Sequence, residues 1–378
     1  MKIVGIIAEY NPFHNGHKFH IEEAKRLTGA DSAVVVMSGN YVQRGDVAIF
    51  DKQTRARSAI VGGADLVIEL PTVCATQSAE VFARSSVHLM NALNCVDYLA
   101  FGAEAEDVGD IMMVAKFLSG ENDEFDNVIR AKLKTGISYA SARAAAVAEF
   151  CGARQAEVLQ EPNNILAVEY LKALHTLKSD IQPILIKRRA VGHDDSEVRG
   201  NFASASLIRE KIKTEGFKSV ETLVPPECIE LYKTSESHAI ETVQVAILAN
   251  LRRMTSMDIA KIADVSEGLE NRISELANKH KTLGGLIDAV KTKRYTHARL
   301  RRIMLHSYLG ITKEDITLAE YLKILDFSPK GQEILNSLKR TKPALAVAKN
   351  FRQIDSAPAV RMWQDELKFD SLYELCIR

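Results

Sequence analysis

Apolar runs without polar alternation recur along the N-terminal part of the chain, and each is followed by a stretch with helical spacing. Runs rich in valine, isoleucine and leucine are typical of strands in a parallel sheet that is covered on both faces. Apolar residues three or four positions apart in the intervening stretches indicate amphipathic helices. The pattern predicts strands over residues 2–10, 32–39, 65–71 and 96–104, and helices over residues 16–30, 51–64 and 76–94.

The pattern changes after the double proline at Pro225 and Pro226. Before it, a fifth strand is predicted over residues 182–188, with helices over residues 106–150, 163–177 and 204–216. After it, helical spacing dominates and strand signals are scarce. We therefore predict an α/β fold with a Rossmann-like parallel sheet in residues 1–225, followed by a mainly α-helical domain in residues 226–378.

Composition adds limits on the class of protein. The chain has 378 residues, of which 46% are apolar and 26% charged, and its formal net charge is zero. Five dispersed cysteines without a Cys-x-x-Cys pair argue against a disulfide scaffold and a structural zinc site. No apolar run is long enough for a transmembrane helix, and residues 1–12 fit a first strand better than a signal peptide. We expect a cytoplasmic protein with no membrane partner.

Polar residues concentrate where the first strand becomes the first helix, in the stretch EYNPFHNGHKFH. Ligands of parallel sheets bind beyond the carboxyl ends of the strands, where a helix N-terminus also offers free N–H groups. Gly16 would let a phosphate approach the backbone, and His14 and His17 would lie on one helix face. The local pattern also fits a capped helix with two surface histidines. A metal site that includes His20 is a third interpretation, although no acidic or cysteine ligand stands at the usual spacing.

A second stretch, FASASLIR, carries Ser204, Ser206 and Arg209 at the predicted start of a late helix. HNGH resembles the HxGH signature of the nucleotidyltransferase superfamily, and FASASLIR resembles its second signature, I-S-S-T-x-I-R. The chain departs from that signature with Ala205–Ser206 in place of Ser–Thr, which keeps one hydroxyl at the helix start. Together the two signatures favour binding of a nucleoside triphosphate, with Arg209 as a fixed cation.

Longer motifs narrow the resemblance. Motifs along nearly the whole chain resemble the tRNA(Met) cytidine acetate ligase family: the start EYNPFHNGH, then VVMSGNYVQRGDVAIFDK, GADLVIELP, FGAE, EPNNILAVEY and KRYTHARLRR. The resemblance implies that ATP, with magnesium as its counter-ion, activates acetate as acetyl-adenylate. The acetyl group would then pass to N4 of the wobble cytidine, C34, of elongator tRNA(Met), giving N4-acetylcytidine. No obligate protein partner is inferred.

The resemblance also assigns site residues. His14, His17 and Arg209 would be catalytic. Three further residues have simpler interpretations as a turn glycine (Gly102), a helix N-cap (Asn163) and a surface salt bridge (Arg188). The ATP-binding residues would be Ile7, Ala8, Glu9, Tyr10, Asn11, Pro12, His14, Asn15, Gly16, His17, His20, Gly102, Asn163, Arg188, Arg189, Ser204 and Ser206.

Basic residues cluster in the predicted helical domain, within the stretch KTKRYTHARLRR. A helix of this composition can face RNA phosphates, with a tyrosine available to stack on a base. It could equally be a solvated charged face. The RNA-binding residues would be Lys291, Lys293, Arg294, Tyr295, Arg299, Arg301 and Arg302.

Two other functions are compatible with the sequence. A small-molecule enzyme of the same superfamily is the main alternative, either a cofactor adenylyltransferase or a carboxylate–amine ligase similar to pantothenate synthetase. A non-catalytic RNA-binding protein with a vestigial nucleotide site is another. The segment that follows the second strand carries Gln43, Arg44, Asp46 and Lys52, which could serve acetate or the tRNA.

Overall fold

A seven-stranded sheet forms the centre of the molecule. The computed structural model describes residues 1–120, 122–187, 198–266 and 268–378. The strands of the sheet are β1 (Ile3–Ala8), β2 (Ser32–Ser38), β5 (Leu66–Leu70), β6 (Tyr98–Ala103), β7 (Gln182–Lys187), β8 (Tyr321–Phe327) and β9 (Ala346–Ala348), and a separate hairpin is formed by β3 (Tyr41–Val42) and β4 (Asp46–Val47).

The sheet has the order β7-β6-β1-β2-β5-β8-β9. The first five of these strands are parallel, β8 is antiparallel to β5, and β9 is parallel to β8. All five strands predicted from the apolar runs are confirmed. The chain order reverses beside β1, so the carboxyl ends of β1 and β6 lie at the switch point where parallel sheets bind ligands.

Helices cover both faces of the sheet. Alternate residues of β2 point to opposite sides: Val34 and Val36 join one apolar core, and Val35 and Met37 join the other. The helices are α1 (Asn15–Thr28), α2 (Lys52–Val61), α3 (Thr72–Ala75), α4 (Ala79–Ala92), α5 (Val108–Ser119), α6 (Asp123–Lys134), α7 (Tyr139–Cys151), α8 (Ala153–Glu157), α9 (Pro162–Thr176), α10 (Ala205–Glu215), α11 (Pro226–Lys233), α12 (Gln244–Arg253), α13 (Ser256–Lys261), α14 (Leu269–Ala277), α15 (Leu283–Val290), α16 (His297–Leu309), α17 (Pro329–Thr341) and α18 (Ala357–Glu374).

The part after the double proline is mainly helical, as predicted, and α11 begins at Pro226. Two strands of this part nevertheless return to the sheet, which the sequence pattern did not predict. β8 extends the sheet beyond β5, and its Lys323 interrupts the apolar run while pairing with Glu69 of β5. The C-terminal helix α18 also packs into the core through Trp363 and Phe369. The segment 226–378 therefore completes the sheet of the N-terminal part.

Two further observations bear on the expected class of protein. All five cysteines are free thiols. Among the helices of the described ranges, none combines the length and the apolar character that crossing a membrane requires.

Candidate functional site

Two histidines cap the start of α1. His14 is the N-cap residue, and its Nδ1 accepts a hydrogen bond of 3.0 Å from the backbone N–H of Gly16. The backbone N–H of His14 in turn donates to Nδ1 of His17 at 3.3 Å, and the two rings stack with centroids 3.7 Å apart. Since each Nδ1 accepts, a neutral ring carries its proton on Nε2. The capped-helix interpretation is therefore confirmed, and each neutral ring has its donor N–H at Nε2.

Gly16 is required by this cap. A Cβ at this position would lie 2.9 Å from Cε1 and 3.1 Å from Nδ1 of His14. Any other residue would push the His14 ring away from the helix start. His20 lies farther along α1 and is half-buried.

The second signature lies against the first. Arg209 of α10 donates from Nη1 to the backbone oxygen of Asn11 at 2.7 Å, and from Nη2 to the Ser206 hydroxyl at 3.3 Å. Ser204 caps α10, since its Oγ accepts from the backbone N–H of Leu207 at 3.2 Å. The side-chain amide of Asn15 ties the start of α1 to the chain around α10 through the backbone oxygens of Asn201 and Thr222, at 2.8 and 3.0 Å. Two helix N-termini thus meet beyond the carboxyl end of β1.

The residues between β1 and α1 are fixed in place by their own bonds. The side-chain oxygen of Asn11 accepts from the backbone N–H of Ile49 at 2.8 Å. Tyr10 is buried, has a φ of 47°, and packs its ring 4.8 Å from that of His17. Burial raises the pKa of the Tyr10 hydroxyl far above its ordinary value, so Tyr10 stays neutral. Ile7 and Ala8, the last residues of β1, are half-buried.

Charges of both signs surround Arg209. Burial lowers the pKa of the Arg209 guanidinium, and the carboxylates of Asp46 and Glu9 oppose this shift. Burial raises the pKa of the Asp46 carboxyl, and the positive charges of Arg209 and Arg301 oppose that shift. Arg209 therefore lies among charges of both signs at this site.

The motifs FGAE and EPNN are hydrogen-bonded to each other on the β6 side of the switch point. Gly102 is half-buried near the end of β6 and pairs with Ile186 of β7. Asn163 donates its side-chain N–H to the carboxylate of Glu104. It lies in the first turn of α9, whose N-cap is Glu161, so the interpretation of Asn163 as the N-cap is wrong.

Sequence reasoning missed three residues that hold this edge. Asn164 accepts the backbone N–H groups of Glu104 and Ala105, both at 2.9 Å. The Arg55 side chain is fully buried and donates to the backbone oxygens of Glu9 at 2.6 Å, of Ser38 at the end of β2, and of Gly39. The motifs FGAE and EPNN contained the signal for Glu104 and Asn164. No sequence signal marks Arg55 as buried.

A buried ion cluster, formed by Lys52, Glu69, Lys323 and Asp370, lies at the carboxyl end of β5. Lys52 Nζ is 2.7 Å from Glu69 and 2.6 Å from Asp370, and Lys323 Nζ is 2.6 Å from Glu69. The Lys52 side chain is only 7% exposed, so it joins α2 to α18 rather than facing a substrate. Beside the cluster, burial and the charge of Glu69 raise the pKa of the Glu366 carboxyl to about 8.

The basic segment divides into exposed and internal residues. Lys291, Lys293, Arg294 and Arg301 are exposed. Of the other three residues, Tyr295 and Arg302 are buried and Arg299 is half-buried, whereas RNA contacts are expected to be exposed. Tyr295 is only 7% exposed, Arg302 is 2.5 Å from the carboxylate of Asp264, and Arg299 donates to the Asp264 backbone oxygen at 2.8 Å.

Two expected site residues, Arg188 and Arg189, lie outside the described residues. Within the described ranges, no group of three or more His, Cys, Asp or Glu side chains is placed to hold a metal ion. The residues His14, His17, Ser206 and Arg209 do come together, from segments far apart in the sequence.

Comparisons with known proteins agree with this geometry. A family model described as HIGH Nucleotidyl Transferase matches residues 1–378. The chain is 37% identical over 385 residues to a tRNA(Met) cytidine acetate ligase of Thermoanaerobacter sp. (strain X514), covering 100% of this chain and 96% of the relative. It is 36% identical over 400 residues to a protein of the same name from Acetivibrio thermocellus, with the same coverage.

Two solved structures are also similar. The apo crystal structure of Thermotoga maritima TmcAL matches with a TM-score of 0.94 and 32% identity, covering 100% of this chain and 96% of that one. A second crystal form of that protein, bound with alpha-thio ATP, matches with a TM-score of 0.89, 32% identity and coverage of 98% and 92%. The joined signatures, the full-length family match and these relatives lead to one conclusion: the chain belongs to the tRNA(Met) cytidine acetate ligase family of HIGH nucleotidyl transferases.

Proposed function

We propose that the chain is an ATP-dependent ligase that activates acetate as acetyl-adenylate and transfers the acetyl group to N4 of the wobble cytidine of elongator tRNA(Met). The junction of the α1 and α10 N-termini carries the proposal. There Arg209 is bonded to Asn11 beside the stacked His14–His17 pair, in a chain that matches the family over its full length. The cytoplasm is the proposed location.

The first step needs charge stabilisation and positioning more than covalent catalysis. An acetate oxygen attacks the α-phosphorus of ATP, and pyrophosphate leaves with the electron pair of the broken P–O bond. The Nε2–H groups of His14 and His17 and the N–H groups at the start of α1 would bind the triphosphate. Arg209 would neutralise charge on it, and magnesium would accompany ATP on its phosphates.

The acceptor side is supported by the exposed part of the basic segment. Four exposed basic side chains lie on α16 or just before it: Lys291, Lys293, Arg294 and Arg301. Helix α16 contacts Gly45, in the segment that follows β2. Clustered lysine and arginine side chains bind RNA phosphates. The identity of the nucleoside and of the acyl donor comes from the family and is part of the proposal.

The test uses two assays on the intact protein. Acetate-dependent exchange of labelled pyrophosphate into ATP reports the first step, and N4-acetylcytidine formed on unmodified tRNA reports the whole reaction. His17→Ala should lower exchange by about 100-fold or more. His175→Ala, at an exposed position near the end of α9, is the control and should leave exchange as it is. Wild-type protein that exchanges no pyrophosphate with acetate would overturn the acetate assignment.

The acceptor is tested separately. Total tRNA lacking the modification should acquire label from acetate only in the tRNA(Met) fraction. Label transferred instead to a small amine, or adenylylation of a cofactor precursor without acetate, would replace this function with that of a small-molecule enzyme of the superfamily.

A further inference from the structure

The turn between β3 and β4, residues 43–45, contacts two functional parts of the molecule. On one side, the backbone N–H of Gln43 donates to the carboxylate of Glu9 at 2.8 Å. On the other side, Gly45 has a φ of 75° and lies so close to α16 that a Cβ would overlap the backbone nitrogen of Arg302. The turn therefore joins the segment after β1 to the helix that bears part of the basic segment.

The attachment of α16 at this edge is not limited to the turn. His306 of α16 is fully buried, and its Nε2 lies 2.9 Å from the backbone oxygen of Thr76. The residue after Thr76, Gln77, accepts at its backbone oxygen from the Gln43 side chain at 2.9 Å. Helix α16 is thus fixed at two points against the edge where ATP would bind.

Two charged side chains remain available at this junction, Asp46 and Arg301. Asp46 is half-exposed, and one of its oxygens accepts from the backbone N–H of Val47 at 2.9 Å. Arg301 is exposed, and its guanidinium makes no hydrogen bond or ion pair with the described part of the chain. Its neighbours on α16 differ, because Arg299 and Arg302 are both bonded to Asp264.

The charges that face Asp46 come from three elements. Arg209 of α10 and Arg301 of α16 favour its ionised form, and Glu241, in the short helix Ile240–Val243, disfavours it. Burial is the largest influence and raises the pKa of the Asp46 carboxyl. A carboxylate with a raised pKa is a stronger base, and the two arginines oppose the rise.

We propose that Asp46 and Arg301 form the subsite for the acceptor nucleotide, in which Arg301 binds a phosphate of the RNA strand beside the target cytidine and Asp46 accepts the proton that N4 loses. The inference rests on the proposed function. The N4 lone pair attacks the carbonyl carbon of acetyl-adenylate and a C–N bond forms. The bond from that carbon to the phosphate oxygen breaks, and AMP leaves with the electron pair. The N4 proton passes to Asp46 and then to solvent.

The test compares transfer with exchange for each variant, using the full chain and unmodified tRNA. For Asp46→Asn, the rate of transfer at saturating tRNA should fall about 100-fold relative to the rate of exchange. The control Asp326→Asn changes a half-exposed aspartate that has the same local bond, to the backbone N–H of Phe327 at 2.8 Å. Asp326 belongs to β8 and pairs with Val67 near the amino end of β5. This control should keep the wild-type ratio of the two rates.

The pH dependence gives a readout that a structural role would not move. In the wild type, the transfer-to-exchange ratio should rise with pH as Asp46 loses its proton. In Asp46→Asn the ratio should be independent of pH.

Arg301 is tested against a neighbour in the basic segment. Arg301→Ala should lower the rate of transfer at saturating tRNA about 10-fold relative to exchange, and Arg301→Lys should restore part of it. Arg294→Ala should raise only the KM for tRNA, because Arg294 precedes α16, whereas Arg301 stands next to the Arg302 nitrogen that Gly45 approaches.

Three outcomes separate the hypotheses. Equal loss of exchange and transfer in Asp46→Asn and Arg301→Ala would overturn the subsite and make the junction structural. Wild-type rates of both exchange and transfer in the two variants would also overturn it. Wild-type protein inactive in both assays would instead contradict the proposed function.

Discussion

Replacing Lys52 by methionine tests what the buried ion cluster contributes to stability. The Lys52 side chain is 7% exposed, and its Nζ bonds to Glu69 at 2.7 Å and to Asp370 at 2.6 Å. Removing one partner of a buried ion pair costs about 3–5 kcal/mol, because the remaining charge is left in a poorly solvated place. Methionine fills a similar volume, and Lys323 still pairs with Glu69 at 2.6 Å. We therefore expect the lower end, a loss of about 3 kcal/mol in the free energy of unfolding.

The measurement is urea denaturation followed by far-ultraviolet circular dichroism at pH 7. Lys368→Met is the matched control, since the Lys368 side chain is 71% exposed and pairs with Asp365 on the same helix. It should show no measurable loss. A loss below about 1 kcal/mol for Lys52→Met would refute the reasoning, because the buried pair would then contribute no more than a surface pair.

The stability difference between wild type and Lys52→Met should also depend on pH. Burial alone would raise the pKa of the Glu69 carboxyl, but Lys52 and Lys323 hold it below its ordinary value. The stability that this lowering contributes is present above the ordinary pKa of a glutamate and is lost as the pH falls through the lower folded value. The difference in stability between wild type and Lys52→Met should therefore shrink on acidification. A constant difference from neutral to acid pH would contradict the assignment of Glu69 as ionised.

Three further predictions concern the cap of α1, the buried Glu366 carboxyl and the exposed basic residues. Gly16→Ala should displace the His14 ring, lower the free energy of unfolding by about 1 kcal/mol and reduce pyrophosphate exchange by a larger factor; wild-type exchange would contradict the role of the cap. Burial raises the pKa of Glu366 to about 8, so wild-type stability should fall as the pH rises from the ordinary glutamate pKa towards 8, and Glu366→Gln should reduce that slope in denaturation measured across this range. Reversing the charges of Lys293 and Arg294 to glutamate should raise the KM for tRNA about 10-fold or more and leave exchange without tRNA intact, and equal loss of both activities would make the segment structural.

The sequence predicts the parallel part of the fold well, because its strands are apolar on both faces and separated by helices. The strand β8 was not predicted, and the reason is physical. Lys323 stands inside its apolar run, and only the three-dimensional pairing with Glu69 neutralises it. No local pattern contains that information.

The site was predictable to a similar extent. The local pattern singled out His14 and His17 because helix starts carry recognisable capping and anion-binding residues, but it left three interpretations open. The resemblance of FASASLIR to a known signature added Arg209, and the catalytic roles of these residues stay predictions. Burial of long basic and aromatic side chains depends on distant contacts, so Tyr295 could not be recognised as internal from its own segment. Helix spacing alone does not distinguish an arginine that faces solvent from one that reaches a carboxylate on another element.

The return of the C-terminal segment to the sheet has a consequence for synthesis on the ribosome. Until β8 and α18 have emerged, β5 has an open edge, and Glu69 lacks the Lys323 and Asp370 side chains that complete its surroundings. Two tyrosine hydrogen bonds also form only when α18 is present. Tyr41 donates to the Phe369 backbone oxygen at 2.9 Å, and Tyr373 of α18 donates to that of Ala48 at 2.8 Å. A nascent N-terminal half therefore exposes a strand edge of the kind that promotes aggregation. The N-terminal half reaches its final packing only after α18 has been made.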